Sequence, residues 1–88
     1  MDRLFVDTSA WFASVNRADP DHERVANALR GFRGRLLTSN FIFDETVTLC
    51  FYRLGHEAAI SIGETLRQSA HVELIRSEEH TSELQSPI

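Results

Sequence analysis

The sequence predicts an α/β fold in which short parallel strands alternate with helices. Three apolar runs of strand length occur, at residues 4–6, 36–38 and 72–75. The longer segments between them repeat apolar residues at helical spacing and are bounded by capping residues and glycines. This alternation is typical of a parallel sheet built from right-handed crossovers, with helices on both faces. The predicted order is therefore β-α-α-β-α-α-β in a three-layer α/β/α arrangement.

The composition is that of one small domain, or of a piece of one. The chain has 88 residues, 42% of them hydrophobic, a formal net charge of −4 and a single cysteine, Cys50. A lone cysteine forms no internal disulfide, which fits a reducing compartment. No apolar stretch approaches the ~20 residues that span a bilayer. The first strand begins within a few residues of Met1, which leaves no room for a signal peptide. We therefore expect a cytoplasmic protein.

The basic residues are all arginine, nine in number, and they are outnumbered by thirteen acids. An acidic chain lacks the broad positive surface of a non-specific nucleic-acid binder. This balance does not exclude a protein that handles nucleic acid at one site.

Two helices are predicted between the first and second strands. The first covers about residues 10–16. Asp19 and Pro20 predict the start of the second helix, with Asp19 as the N-cap and Pro20 at the first helical position. This second helix ends near Gly31.

Two more helices are predicted after the second strand. Ser39 or Asn40 caps the third, which covers about 41–54, and Gly55 is expected in the left-handed conformation just past its end. The fourth covers 56–69. The predicted inward residues are Phe43, Val47, Cys50 and Leu54 on the third helix, and Ala59, Ile60, Gly63 and Leu66 on the fourth.

Asp7 is the first candidate site residue, because an apolar strand ends on it and a helix follows at once. Open α/β sheets bind ligands at the carboxyl ends of their strands, where a carboxylate can hold a metal ion or accept a proton. The alternative is that Asp7 only caps the helix, as Asp, Ser and Thr commonly do. On this feature alone the capping interpretation is favoured.

A second pair of acids, Asp44 and Glu45, lies near the start of the third helix. Negative charge there can simply complement the helix dipole. Glu45 lies roughly 200° around the helix from Phe43 and shares a face with Phe41 and Leu49. An acid on an apolar strip needs a partner or a metal ion, whereas Asp44 can point to solvent. Glu45 is therefore the better site candidate.

The chain resembles the N-terminal part of a PIN domain, the ribonuclease fold of VapC-type toxins. The resemblance is carried by residues 5–10 and by residues 37–40, which lead into 44–46. The resemblance covers residues 1–75 and places apolar strands and helices in the same order.

The resemblance implies specific roles for four residues. Asp7 and Glu45 occupy the positions of acids that bind a divalent metal, Mg²⁺ or Mn²⁺. Thr8 and Ser9 match polar residues beside the first acid, whose hydroxyls can orient the carboxylate or a metal-bound water. Hard oxygen ligands suit these ions, whereas the thiol of Cys50 does not.

The resemblance also implies hydrolysis of RNA phosphodiester bonds, a homodimer and a cognate antitoxin protein. Complete members supply one or two further aspartates from a C-terminal half that this sequence lacks. Two carboxylates hold a cation only weakly, and metal-assisted hydrolysis needs a site that activates water and neutralises charge. We therefore expect a truncated domain that binds Mg²⁺ or Mn²⁺ poorly and cleaves RNA negligibly.

The segment 76–88 departs from the pattern of the rest of the chain. It is polar, has almost no apolar periodicity, and resembles the conceptual translation of a short-read sequencing adapter. We predict that residues 1–75 are the N-terminal part of the nuclease domain and that 76–88 is a non-native tail. Its acids and its histidine are assigned no function.

Two other functions fit the pattern less well. A haloacid dehalogenase-like phosphoryl-transfer hydrolase also places an acid after its first strand, but needs a second Asp two residues later, where this chain has Ser9. A non-catalytic RNA- or protein-binding module is the other alternative. A zinc site is not expected, since no histidine has a Cys or His at ligand spacing.

Overall fold

The computed structural model describes residues 2–76, in which three strands alternate with two helical pairs. The elements in chain order are β1 (Asp2–Phe5), α1 (Thr8–Val15), α2 (His22–Gly31), β2 (Gly34–Ser39), α3 (Asn40–Leu54), α4 (His56–Gln68) and β3 (Val72–Ile75). The predicted order of elements is confirmed. The predicted tail lies outside the described residues except for Arg76.

The strands form one parallel sheet in the order β1-β2-β3. Leu36 is in register with Leu4 on one side and with Val72 on the other. Because the strands are parallel and neighbours in the chain are neighbours in the sheet, their carboxyl ends lie at one edge of the molecule. The residues that follow β1 and β2 are therefore held close together.

The buried side of the sheet is the side on which Leu36 and Thr38 lie, with exposed fractions of 4% and 0%. Alternate residues of a strand point to opposite faces, and on the other face Phe5 is 54% exposed. Within residues 2–76 the helices thus cover one face. The third layer stays a prediction. All four residues of β1 are exposed.

The core forms where the helices meet the buried face of the sheet. Trp11 and Val6 pack there with the inner residues of α3 and α4. The buried hydrophobic residues of this cluster are Val6, Trp11, Leu36, Cys50, Ala59, Ile62 and Leu66. Trp11 joins α1 to the core and so fixes the helix that begins beside Asp7.

The predicted start of α2 is wrong by two residues. The helix begins at His22, not at Pro20, and Asp21 occupies its N-cap without a side-chain capping hydrogen bond. The Asp19 side chain instead accepts a hydrogen bond from the Asp21 backbone N–H at 2.7 Å, and its carbonyl accepts one from His22. Asp19 therefore closes a turn two residues ahead of the helix, which competes with the capping role.

The predicted inward face of α4 is wrong at one position. Ile60 is 47% exposed, whereas Ile62 is 3% exposed. Ala59, Ile62 and Leu66 follow the i, i+3, i+7 spacing of a single helical face, and Ile60 lies off that face. The predicted inward position of Leu54 on α3 is also wrong, since Leu54 is 38% exposed.

The ends of α1, α3 and α4 lie within two residues of their predicted positions. Gly55 has φ of +110°, as expected for the residue that follows α3, and its N–H donates to the carbonyls of Cys50 and Phe51. In the described part of the chain, no helix has the length and apolarity needed to cross a bilayer.

We predict that Ile62→Ala lowers the free energy of unfolding by about 2–5 kcal/mol, because it removes a buried branched side chain and leaves a cavity. Ile60→Ala is the matched control on the same helix and should change stability by about 0.5 kcal/mol or less. Urea denaturation of the two variants checks this. Equal losses would contradict the assigned packing of α4.

Candidate active site

Asp7 lies between β1 and α1, where it is the N-cap of α1. Its Oδ1 accepts hydrogen bonds from the Ser9 hydroxyl at 3.0 Å and from the Ala10 backbone N–H at 3.1 Å. Asp7 therefore caps α1, as one of its two predicted roles requires. A cap uses one carboxylate oxygen, so this role leaves Oδ2 available for another.

Glu45 lies in the second turn of α3. The helix starts at Asn40 because the Ser39 hydroxyl accepts a hydrogen bond from the Ile42 N–H at 3.1 Å, as one of the two predicted caps does. The first turn of α3 contains no acid, so the helix-dipole explanation for Asp44 and Glu45 loses its basis. Both carboxylates are exposed to solvent.

A hydrogen bond joins the two candidate positions across 37 residues of sequence. The Thr8 hydroxyl donates to Glu45 Oε1 at 2.8 Å. Thr8 is the first residue of α1 and follows Asp7 directly, so this contact brings Glu45 to the same end of the sheet as Asp7. The structure thus places Asp7, Thr8, Ser9 and Glu45 in one cluster, which we call the carboxylate cluster.

Each hydroxyl of the carboxylate cluster orients one of its two acids. Ser9 donates to Asp7 and Thr8 donates to Glu45. Asp7 Oδ2 and Glu45 Oε2 accept no hydrogen bond from the described residues. Free carboxylate oxygens on oriented side chains are the donors that Mg²⁺ and Mn²⁺ prefer, so the residues present fit such an ion.

The carboxylate cluster holds only two acids. Within residues 2–76, no group of three or more His, Cys, Asp or Glu side chains could hold a metal ion. Cys50 is fully buried in the core, and desolvation raises the pKa of its thiol. Burial therefore disfavours the thiolate, which is the form of cysteine that binds metal ions and acts as a nucleophile.

One neighbouring residue was missed in the sequence. Tyr52 is 78% exposed and lies two turns after Glu45 on α3. The signal was available, because residues seven apart share a helix face. The predicted inward residues of α3 do not include Tyr52, because its side chain is exposed and takes no part in the core.

The chain belongs to the PIN domain family, whose model matches residues 4–86. That range extends past residue 75 into the segment predicted to be a tail, and the boundary at 75 stays a prediction. Family membership favours the PIN interpretation over the haloacid dehalogenase-like alternative.

The chain is similar to the 23S rRNA-specific endonuclease VapC20 of Mycobacterium tuberculosis, in two strains, CDC 1551 / Oshkosh and ATCC 25618 / H37Rv. Each is 34% identical over 82 residues, which cover 93% of this chain and 60% of the relative. The crystal structure of M. tuberculosis VapC20, described as a sarcin-ricin loop cleaving toxin, superimposes with a TM-score of 0.86 at 31% identity. That match covers 96% of this chain and 64% of VapC20. The chain thus spans about three-fifths of the length of these relatives.

We predict that Asp7→Ala destabilises the fold by about 0.5–2 kcal/mol, since it removes the cap of α1, whereas Asp7→Asn costs little because Asn also caps helices. Asp21→Ala is the control, because Asp21 occupies an N-cap without making the capping hydrogen bond. Thermal melts of the three variants check this. If Asp7→Asn destabilised as much as Asp7→Ala, the capping geometry would be contradicted.

Proposed function

We propose that this chain is part of a divalent-metal-dependent endoribonuclease in which Asp7 and Glu45 bind Mg²⁺ or Mn²⁺. The observation that carries the proposal is the 2.8 Å hydrogen bond from Thr8 to Glu45, which holds the second acid beside the residue that follows the first. Family membership and the similarity to a named endonuclease support the reaction class.

The residues of the carboxylate cluster have separate tasks in this proposal. Asp7 offers Oδ2 while Oδ1 stays engaged with Ser9 and the start of α1. Glu45 offers Oε2 while Thr8 restrains its side chain. A restrained ligand loses less conformational entropy on binding, so Thr8 and Ser9 act as positioning residues.

A bound Mg²⁺ or Mn²⁺ would neutralise phosphate charge and lower the pKa of a coordinated water. The two carboxylates would set where that ion sits relative to an RNA phosphate. Both acids are exposed, so a strand of RNA has access to this edge of the sheet.

We further propose that the 88-residue chain binds the ion weakly and cleaves RNA negligibly. Two acids provide less negative charge than a site with additional carboxylates, and the relatives have further length that this chain does not match. From the adapter-like, non-periodic sequence of 76–88 we also propose that residues 1–75 are the native part of the domain and that 76–88 is a non-native tail.

RNA is the proposed substrate class. For the full-length parent we propose a homodimer, a cognate antitoxin protein and a cytoplasmic location, all by family resemblance. The presence of a single cysteine, Cys50, is compatible with that compartment.

We expect Asp7→Asn to lower the Mn²⁺ affinity of the chain by at least about tenfold, because it removes a direct ligand while keeping the cap of α1. Asp44→Asn is the matched control: it removes the same charge one residue from Glu45 and should leave the affinity within about twofold. Electron paramagnetic resonance of free Mn²⁺ measures both.

Equal effects of Asp7→Asn and Asp44→Asn would mean that only net charge attracts the ion, and would contradict the site. A parallel assay with a fluorescent single-stranded RNA should show no cleavage above that of Asp7→Asn. Cleavage that Asp7→Asn abolishes would overturn the proposed inactivity of this chain while supporting the assigned residue.

A further inference from the structure

A groove of about 640 Å³ lies between α3 and α4. We call it the α3–α4 groove. Its lining includes Phe51, Tyr52, His56, Ile60 and Arg67. The protein thus presents aromatic rings and a cation together on a surface that the folding of residues 2–76 leaves open.

The aromatic side chains of the groove form an ordered array. The Phe51 and Tyr52 rings lie 5.4 Å apart at 78°, and the Phe51 and His56 rings lie 6.2 Å apart at 81°. Edge-to-face contacts of this kind fix ring orientation. Tyr52 remains 78% exposed, so a face of its ring is open to an incoming planar group.

The groove is continuous with the carboxylate cluster. Glu45 and Tyr52 are seven residues apart on α3, which places them on one face about 10.5 Å apart along the axis. A second hollow is lined by residues that include Glu45, Thr48, Leu49 and Tyr52. Thr48 and Tyr52 also line the α3–α4 groove, so the two hollows adjoin. An RNA strand that passes the two acids and continues along α3 therefore reaches the Tyr52 ring.

The charge on the far wall of the groove suits a phosphate. The Arg67 guanidinium lies 5.5 Å from the centre of the Phe43 ring, a cation–π contact that holds it against the wall. Glu64, three residues earlier on α4, also lines the groove, so Arg67 supplies a local contact and not a broad positive surface. Arginine donors pair well with phosphate oxygens.

We propose that the α3–α4 groove is a subsite for single-stranded RNA, in which a base stacks on Tyr52 and a neighbouring phosphate contacts Arg67. This inference rests on the proposed function for the choice of RNA as ligand. Single-stranded RNA is recognised largely by stacking of unpaired bases on aromatic side chains, so a ring beside the acids would position the strand for the reaction.

The test is the affinity of the 88-residue chain for a fluorescein-labelled single-stranded RNA, measured by anisotropy in EDTA and at several salt concentrations. Tyr52→Ala should weaken binding about 5- to 100-fold without changing the salt slope, because stacking neutralises no phosphate. Tyr52→Phe should restore the affinity, since it keeps the ring.

Arg67 is tested in the same titrations. Arg67→Gln should reduce the slope of log affinity against log salt by about one, as the loss of a single phosphate contact does. Arg24→Gln is the matched control on α2, outside the groove, and should leave the slope unchanged. Circular dichroism melts establish that each variant is folded.

Several results would overturn the subsite. RNA affinity that does not depend on Tyr52, or no binding at low salt, would do so. Light scattering that shows Tyr52→Ala converting a dimer into a monomer would instead make the surface an interface between copies of this chain. Because the assay uses neither metal nor cleavage, its failure leaves the Mn²⁺ proposal standing, and a failed Mn²⁺ titration leaves the subsite standing.

Discussion

The hydrogen bond from Thr8 to Glu45 is the contact on which the candidate site depends. It joins the start of α1 to the second turn of α3, two helices whose N-termini follow neighbouring parallel strands. Parallel pairing of β1 with β2 brings those N-termini to one edge, and the buried Trp11 anchors α1 there. Without that packing, Glu45 would be one exposed acid among several, and the carboxylate cluster would not exist.

Much of the fold could be predicted because its signals are local. The apolar runs, the Ser39 cap and Gly55 each specify a boundary through nearby backbone chemistry, and the structure follows them. The prediction of Asp19 as the N-cap of α2 was wrong because an Asp side chain can either close a turn or cap a helix, and the sequence does not distinguish the two. The prediction of Ile60 as an inward residue was wrong because Ile60 and Ile62 lie two residues apart, and only packing decides which of them faces the core.

The candidate site was predictable in part for a related reason. Asp7 follows from the end of a strand, and Glu45 follows from its separation from the inward face of α3. The sequence did not predict that Thr8 donates to Glu45 while Ser9 donates to Asp7, because the first contact depends on the distance between α1 and α3. Tyr52 was not predicted because its proposed role depends on exposed surface and not on the core. The available sequence signal was its position seven residues after Glu45, on the same helix face.

The proposed site requires Asp7 and Glu45 to share one cation, and a double-mutant cycle on Mn²⁺ affinity tests this most directly. Asp7→Asn, Glu45→Gln and the double variant would be compared with the unmodified chain under identical conditions. Two ligands of a single weak site should show strong non-additivity, with the second substitution adding little to the first. Fully additive losses, or an affinity that Glu45→Gln leaves unchanged, would show that the two carboxylates do not act on the same ion.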